Sequence, residues 1–147
     1  MKTTNPIESP DQRQPGLPPA AGQPRVVILE DDQALAQLYE TLIAKPFPQA
    51  EIRMHHNGDP AWVDLSRSDP DLFITDLDHL GLDIWEILKR LAAKPATYPI
   101  LIITGEELRA VPFNVIFPGL NLTVMYKPFE VDRLQAMLVV LLRRFTI

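Results

Sequence analysis

Short apolar runs alternate with helical periodicity along most of the chain. Three runs are rich in β-branched residues and contain no polar side chain, as strands buried on both faces of a sheet do: residues 26–29, 72–74 and 100–103. Two further segments, 50–54 and 122–126, alternate or mix apolar with polar residues, which is typical of edge strands. The pattern therefore predicts a five-stranded sheet with two polar edges.

Helices are predicted between these strands, because apolar residues recur there at intervals of three and four. Pro46 ends the first helix. Asp59 is placed to cap the second helix, with Pro60 at its first position, and Asp83 is placed to cap the third. The last helix is predicted over about residues 130–144. Five strands that alternate with helices predict an α/β fold, in which helices cover both faces of a parallel sheet.

The segment before the fifth strand has a different pattern. Pro112 disfavours a helical conformation at the residue before it, and Pro118-Gly119 marks a turn. We therefore expect a short fourth helix that ends near Val111, followed by an irregular apolar stretch. The last helix is apolar throughout residues 137–142, so more than one of its faces needs cover. These adjoining apolar features predict either a homodimer or an irregular stretch that folds over the last helix within one chain.

Composition limits the size and class of the protein. A chain of 147 residues, 46% apolar and 22% charged, suits one globular domain. Six of its 15 prolines fall in residues 1–24, a stretch that has no aromatic residue and few large apolar ones. Because such a stretch buries too little surface to offset its ordering entropy, we predict a disordered proline-rich tail there. Residues 25–147 are then the folded domain.

Charge and cysteine content exclude several functions. The net charge of -5 does not suit binding to a phosphate backbone, so we expect no nucleic-acid partner. The chain has no cysteine, which excludes disulfides, thiolate metal sites and cysteine nucleophiles. Its longest apolar run, residues 136–142, is far shorter than the roughly 20 residues that span a bilayer, and no signal-peptide core follows the N-terminus. We therefore expect a cytoplasmic protein without a membrane partner.

Candidate chemistry collects just past the ends of the predicted strands. Glu30 and Asp31 follow the first strand, Asp76 the third, Thr104 the fourth and Lys127 the fifth. The carboxyl ends of parallel strands form the edge where ligands bind in such sheets. Clustered carboxylates repel one another unless a cation lies among them, and oxygen ligands suit Mg²⁺. Lys127 and Thr104 would then hold a phosphoryl group, with Asp76 as the carboxylate nucleophile.

Four stretches resemble, in the same order, the motifs of response-regulator receiver domains. They are residues 26–32 (VVILEDD), 70–77 (PDLFITDL), 100–105 (ILIITG) and 127–129 (KPF). The resemblance spans residues 25 to about 145. It implies a flavodoxin-like (βα)5 doubly wound sheet with strand order 2-1-3-4-5.

The resemblance also implies a role for each candidate residue. Asp76 would accept a phosphoryl group from a sensor histidine kinase or a phosphotransfer protein, and Lys127 and Thr104 would contact its oxygens. The implied Mg²⁺ ligands are Glu30, Asp31, Asp76 and the backbone carbonyl of Asp78. Such a chain is a switch and not an enzyme, apart from catalysing its own phosphorylation and dephosphorylation. It ends three residues after the last predicted helix, so we expect a single-domain regulator that signals through contacts with a downstream target protein.

Three positions depart from the family pattern. Leu80 stands where proline is usual, Ile84 where glycine is usual, and Val124 where an aromatic switch residue is usual. Tyr126 lies on the same strand face as Val124 and is either its substitute or a packed edge residue. Trp62 and Trp85 are interpreted as packing residues, and His55 and His56 as the end of an edge strand. His79 can line the mouth of the site, but no further histidine or cysteine accompanies it.

Two other functions stay open. The pair Asp76 and Asp78 resembles the paired aspartates of haloacid-dehalogenase-type phosphatases. In those enzymes the second acidic pair comes last in the chain, whereas Glu30 and Asp31 come first here. A pseudo-receiver, which has the same fold and binds partners without phosphorylation, is the other alternative.

Overall fold

The computed structural model describes residues 23–78, 81–94 and 96–146. Within them, five parallel strands form one sheet in the order β2-β1-β3-β4-β5. The predicted strands, their order and the two edges are confirmed. The strands are β1 (Arg25–Leu29), β2 (Glu51–His55), β3 (Leu72–Thr75), β4 (Pro99–Gly105) and β5 (Asn121–Lys127). The predicted tail lies outside the described residues except for its last two, so the domain boundary stays a prediction.

Helices cover both faces of the sheet, as the alternating pattern predicts. They are α1 (Gln33–Ala44), α2 (Gly58–Arg67), α3 (Ile84–Ala93), α4 (Phe113–Ile116) and α5 (Val131–Leu141), with 3-10 turns at Glu106–Leu108 and Arg143–Phe145. Side chains of α2, α3 and α4 pack on one face and those of α1 and α5 on the other. None of the helices described is long and apolar enough to cross a bilayer.

The uninterrupted apolar runs are explained by two separate cores. In β1, Val27 and Leu29 face the α2–α3 side while Val26 and Ile28 face the α1–α5 side, and none is more than 3% exposed. Successive side chains of a strand point to opposite faces, so a strand covered on both faces needs apolar residues at every position. The same holds for residues 72–74 of β3 and for the middle of β4.

Of the two predicted helix caps, the one at Asp83 is confirmed. Asp32 accepts hydrogen bonds from the first turn of α1, and Asp83 accepts one from the first turn of α3. The predicted cap at Asp59 is wrong, because α2 begins at Gly58 and is capped by Asn57. Asn57 has an extended backbone (φ -140, ψ 142), and its side-chain oxygen accepts a hydrogen bond from the Asp59 N–H at 2.9 Å.

The fourth helix is short, as predicted, but it lies later in the chain. The segment before Val111 forms only a three-residue 3-10 turn, and the single turn of α4 follows Pro112. A proline has no N–H to lose at a helix N-terminus, where that group has no partner, so Pro112 starts this helix instead of ending one.

The alternative in which this segment folds over α5 is wrong. Phe113 and Phe117 stack on Trp85 of α3, with ring centroids 5.5 and 6.2 Å apart. They therefore belong to the core on the opposite face of the sheet from α5. Val115 and Ile116 lie on the outer side of α4 and are 76% and 48% exposed.

Candidate functional site

The carboxyl ends of four strands bring the predicted side chains together around one cleft of about 540 Å³. Glu30 and Asp31 follow β1, Asp76 follows β3, Thr104 lies near the end of β4, and Lys127 ends β5. All five line the cleft, and so does Asp78. Because the strands are parallel, residues far apart in sequence reach the same edge of the sheet.

Three carboxylates are close enough to share one cation. One oxygen from each of Glu30, Asp31 and Asp76 lies within 4.8 Å of the others. Glu30 and Asp76 are buried, at 1% and 6% exposure, whereas Asp31 is exposed to solvent. An all-oxygen set with one open side suits a small hard cation that keeps some of its water, so these residues fit Mg²⁺.

Both carboxylate oxygens of Asp76 have a partner, one through a hydrogen bond and the other through an ion pair. Its backbone N–H donates to the carbonyl of Leu29 at 3.2 Å, which fixes the residue at the end of the sheet. Its Oδ1 accepts the backbone N–H of Asp78 at 2.6 Å, and its Oδ2 lies 3.2 Å from the Lys127 ammonium. Asp76 is therefore an oriented anion at the centre of the cleft, with a cation beside it.

Burial and, next to it, the negative charge of Asp76 together raise the pKa of Glu30 to about 8. The N–H of Asp32, which donates to Glu30 Oε2 at 3.1 Å, lowers this pKa, and so does the Lys127 ammonium, 3.8 Å from Oε1. Burial and the neighbouring carboxylate thus disfavour the charged form of Glu30 when no cation lies among these residues.

Thr104 is 4% exposed and borders the cleft opposite the acidic residues. Gly105 follows it, and a Cβ there would lie 1.9 Å from Glu107 Oε1. Glycine at this position lets the Glu107 side chain fold over the backbone at the mouth of the cleft. A larger residue at 105 would push that carboxylate away.

Comparison with known proteins identifies this arrangement. The sequence model of the response regulator receiver domain matches residues 26–139, most of the chain. The chain belongs to this family. The match decides against the haloacid-dehalogenase-type phosphatase, whose motifs occur in another order.

Relatives and solved structures agree with this assignment. The phosphate regulon transcriptional regulatory protein PhoB of Rhizobium meliloti is 33% identical, over 82% of this chain and 53% of PhoB. The signal receiver domain of a LuxO repressor protein from Vibrio parahaemolyticus is 26% identical, with a TM-score of 0.70 over 84% of this chain and 92% of that one. The receiver domain of the sensor histidine kinase PA1611 from Pseudomonas aeruginosa, whose structure has magnesium in its active-site cleft, shares the fold at 20% identity, with a TM-score of 0.66 over 82% of this chain and 98% of that one.

The chain spans about half the length of the curated relatives that it matches. Receiver domains are signalling modules of two-component systems, and the family assignment covers the folded domain described here. The activity and the partners of a whole protein are not part of that assignment.

Among the residues of this receiver domain at the site that were not predicted there, two are aromatic. The Trp85 indole lines the cleft, although the sequence indicates only a packing residue. The Tyr39 hydroxyl donates to Glu30 Oε1 at 3.4 Å, although Tyr39 lies on the buried face of α1. The one available signal was a hydroxyl group on an otherwise apolar helix face.

The histidines have structural partners. His55 ends β2 as predicted, and its Nε2 lies 2.8 Å from an Asp64 carboxylate oxygen. His56 Nδ1 lies 2.8 Å from the backbone carbonyl of Glu30 and outside the three-carboxylate cluster. His79 lies outside the described residues.

Packing explains the departures from the family pattern that lie within the described residues. Ile84 is fully buried at the start of α3, and Val124 packs against the same core. The Tyr126 ring lies under the Arg109 guanidinium, 4.3 Å from its centroid, which supports its interpretation as a packed edge residue. Leu80 lies outside the described residues.

Proposed function

We propose that this receiver domain is the phosphoacceptor switch of a two-component or phosphorelay system. Asp76 is the acceptor, and the donor is a phosphohistidine of a sensor histidine kinase or a phosphotransfer protein. The observation that carries the proposal is the position of Asp76, whose carboxylate belongs both to the three-carboxylate cluster and to the ion pair with Lys127.

The transfer follows from this geometry. A carboxylate oxygen of Asp76 forms a bond to phosphorus while the N–P bond of the phosphohistidine breaks. The imidazole nitrogen keeps the electron pair of that bond and takes a proton from solvent. The Lys127 ammonium is in place to neutralise one phosphoryl oxygen, and the Thr104 hydroxyl borders the same cleft and can donate to another.

Mg²⁺ is the proposed cofactor, with Glu30, Asp31, Asp76 and the backbone carbonyl of Asp78 as its ligands. When bound, it would neutralise the carboxylates and the incoming phosphoryl charge. The cluster of three oxygens within 4.8 Å supports this ligand set, and so does the magnesium in the PA1611 receiver domain, which has the same fold.

Signalling then occurs through protein contacts with a downstream target, in the cytoplasm.

Phosphorylation is expected to require a divalent cation. We expect a small phosphodonor such as acetyl phosphate to add one phosphoryl group to the full chain with Mg²⁺ present and none in excess chelator, because the phosphoryl charge otherwise meets uncompensated carboxylates. Intact-mass spectrometry measures the product. Equal labelling in chelator would contradict the site assignment, and no labelling under either condition would favour the pseudo-receiver.

We also propose that phosphorylation promotes homodimer formation through the outer side of α4. The exposed Val115 and Ile116 support this, since both are large apolar side chains and Val115 lines a surface pocket together with residues of the edge strand β5. Sedimentation velocity at micromolar concentration, with and without beryllofluoride as a phosphoryl mimic, is expected to show a dimer with the mimic. Val115→Lys should abolish that dimer. A monomer of 16.6 kDa under both conditions would rule it out.

A further inference from the structure

One uncharged hydroxyl group reaches the acidic cluster from the interior of the protein. Tyr39 lies in the second turn of α1 and is 1% exposed. Its hydroxyl donates to Glu30 Oε1 at 3.4 Å, which is long for a hydrogen bond between oxygens. A buried phenol nevertheless needs an acceptor, and among the described residues the one found is Glu30.

The position of this hydroxyl is set by packing. The Tyr39 ring belongs to the core between α1 and α5, and its centroid lies 6.4 Å from that of Phe129. Phe129 follows Lys127 by two residues, so the same core supports the segment just past the end of β5, where the ammonium lies. The ring therefore cannot turn its hydroxyl toward water without leaving the core.

The Glu30 carboxylate is consequently held by a donor on each oxygen. The Asp32 backbone N–H donates to Oε2 at 3.1 Å, and the Tyr39 hydroxyl donates to Oε1. The terminal torsion of a glutamate is otherwise soft, so one donor leaves the carboxylate plane free to swing, whereas two donors on opposite oxygens fix it. Each oxygen has two lone pairs, and one on each oxygen remains for a cation.

We propose that Tyr39 is a positioning residue of the cation site and that its hydroxyl holds the Glu30 carboxylate in the orientation that binds Mg²⁺. This inference rests on the proposed function, because it requires Mg²⁺ to bind among these carboxylates. Groups that hydrogen-bond to metal ligands typically change metal affinity 10–100-fold when they are removed, so we expect Tyr39→Phe to weaken Mg²⁺ binding about tenfold.

The test compares two buried tyrosines. Tyr98 is 6% exposed, packs in the core on the other face of the sheet, and has no hydrogen-bond partner for its hydroxyl within the described residues. Calorimetric titration of the full chain with Mg²⁺ should show a Kd about tenfold higher for Tyr39→Phe and an unchanged Kd for Tyr98→Phe. Each substitution removes a single oxygen atom, so the pair controls for the loss of a buried hydroxyl.

A second measurement separates positioning from a general loss of structure. The rate of phosphorylation by acetyl phosphate is measured against Mg²⁺ concentration. Tyr39→Phe should need about tenfold more Mg²⁺ and then reach the maximal rate of the unsubstituted chain, because added cation compensates for lost orientation. A maximal rate that stays low at saturating Mg²⁺ would overturn the proposal in favour of a structural role.

A third measurement tests the contact itself. In a Glu30→Asp background the carboxylate is one methylene shorter and no longer reaches the Tyr39 hydroxyl, so the tenfold effect of Tyr39→Phe should disappear. An effect of the same size in that background, or equal Mg²⁺ affinity of Tyr39→Phe and the unsubstituted chain, would overturn the proposal. If the unsubstituted chain itself binds no Mg²⁺, the proposed function fails instead.

Discussion

Replacing Asp76 by asparagine is expected to abolish labelling by acetyl phosphate completely. The amide oxygen of asparagine carries no negative charge and is a poor nucleophile toward phosphorus, so the O–P bond does not form. The substitution also removes the anion 3.2 Å from Lys127 and one of the three clustered carboxylates, which should weaken Mg²⁺ binding. Intact-mass spectrometry after incubation with Mg²⁺ and the phosphodonor checks the first effect, and calorimetric titration checks the second.

Asp78→Asn is the matched control. Asp78 lines the same cleft, but its side chain is exposed and its proposed contribution is a backbone carbonyl, which the substitution leaves in place. We therefore expect one phosphoryl group on Asp78→Asn and none on Asp76→Asn. Phosphorylation of both variants would move the acceptor to another residue, and phosphorylation of neither would require the Asp78 side chain in the reaction.

The second large effect is expected at Phe113, where alanine should destabilise the domain by about 3 kcal/mol. A helix of one turn is not stable by itself, and Phe113 is the one buried residue of α4. Its ring stacks on Trp85 of α3 at 5.5 Å with an interplanar angle of 8°, so the stack holds α4 against α3. Urea unfolding gives the loss in the free energy of unfolding.

Local measurements should show where that stability is lost. The Phe117 N–H donates to the Phe113 carbonyl at 2.9 Å, so its hydrogen exchange should accelerate more than that of β4 when α4 is released. Val115→Ala in the same turn is the control, since Val115 is 76% exposed and its loss should change stability by no more than about 0.5 kcal/mol. Equal effects of the two substitutions would show that the stack does not hold α4.

Much of the site could be predicted from the sequence because its residues occupy defined places relative to the strands. Glu30, Asp76 and Lys127 each stand next to the end of a predicted strand, and parallel strands bring such ends to one edge. The prediction of Asp83 as a helix cap also depended on local sequence, and it is confirmed. The metal and phosphoryl roles stay proposals, because position alone does not measure binding.

The second helix cap shows the limit of a local pattern. Both Asn57 and Asp59 have a side-chain oxygen suited to capping, and Pro60 favoured the later of the two. The backbone decided otherwise, because a side chain caps only from an extended conformation just before the first turn, and Asn57 has that conformation.

The sequence by itself determined the parallel sheet, its edges and the side chains at its ligand-binding edge, because strand periodicity and strand ends are local properties of the chain. Only the tertiary structure decided that α4 packs on Trp85 and not over α5, and that Tyr39 reaches Glu30. These contacts depend on which face of the sheet each helix covers and how deep each ring is buried. The sequence around each of these residues does not show which distant residue it packs against.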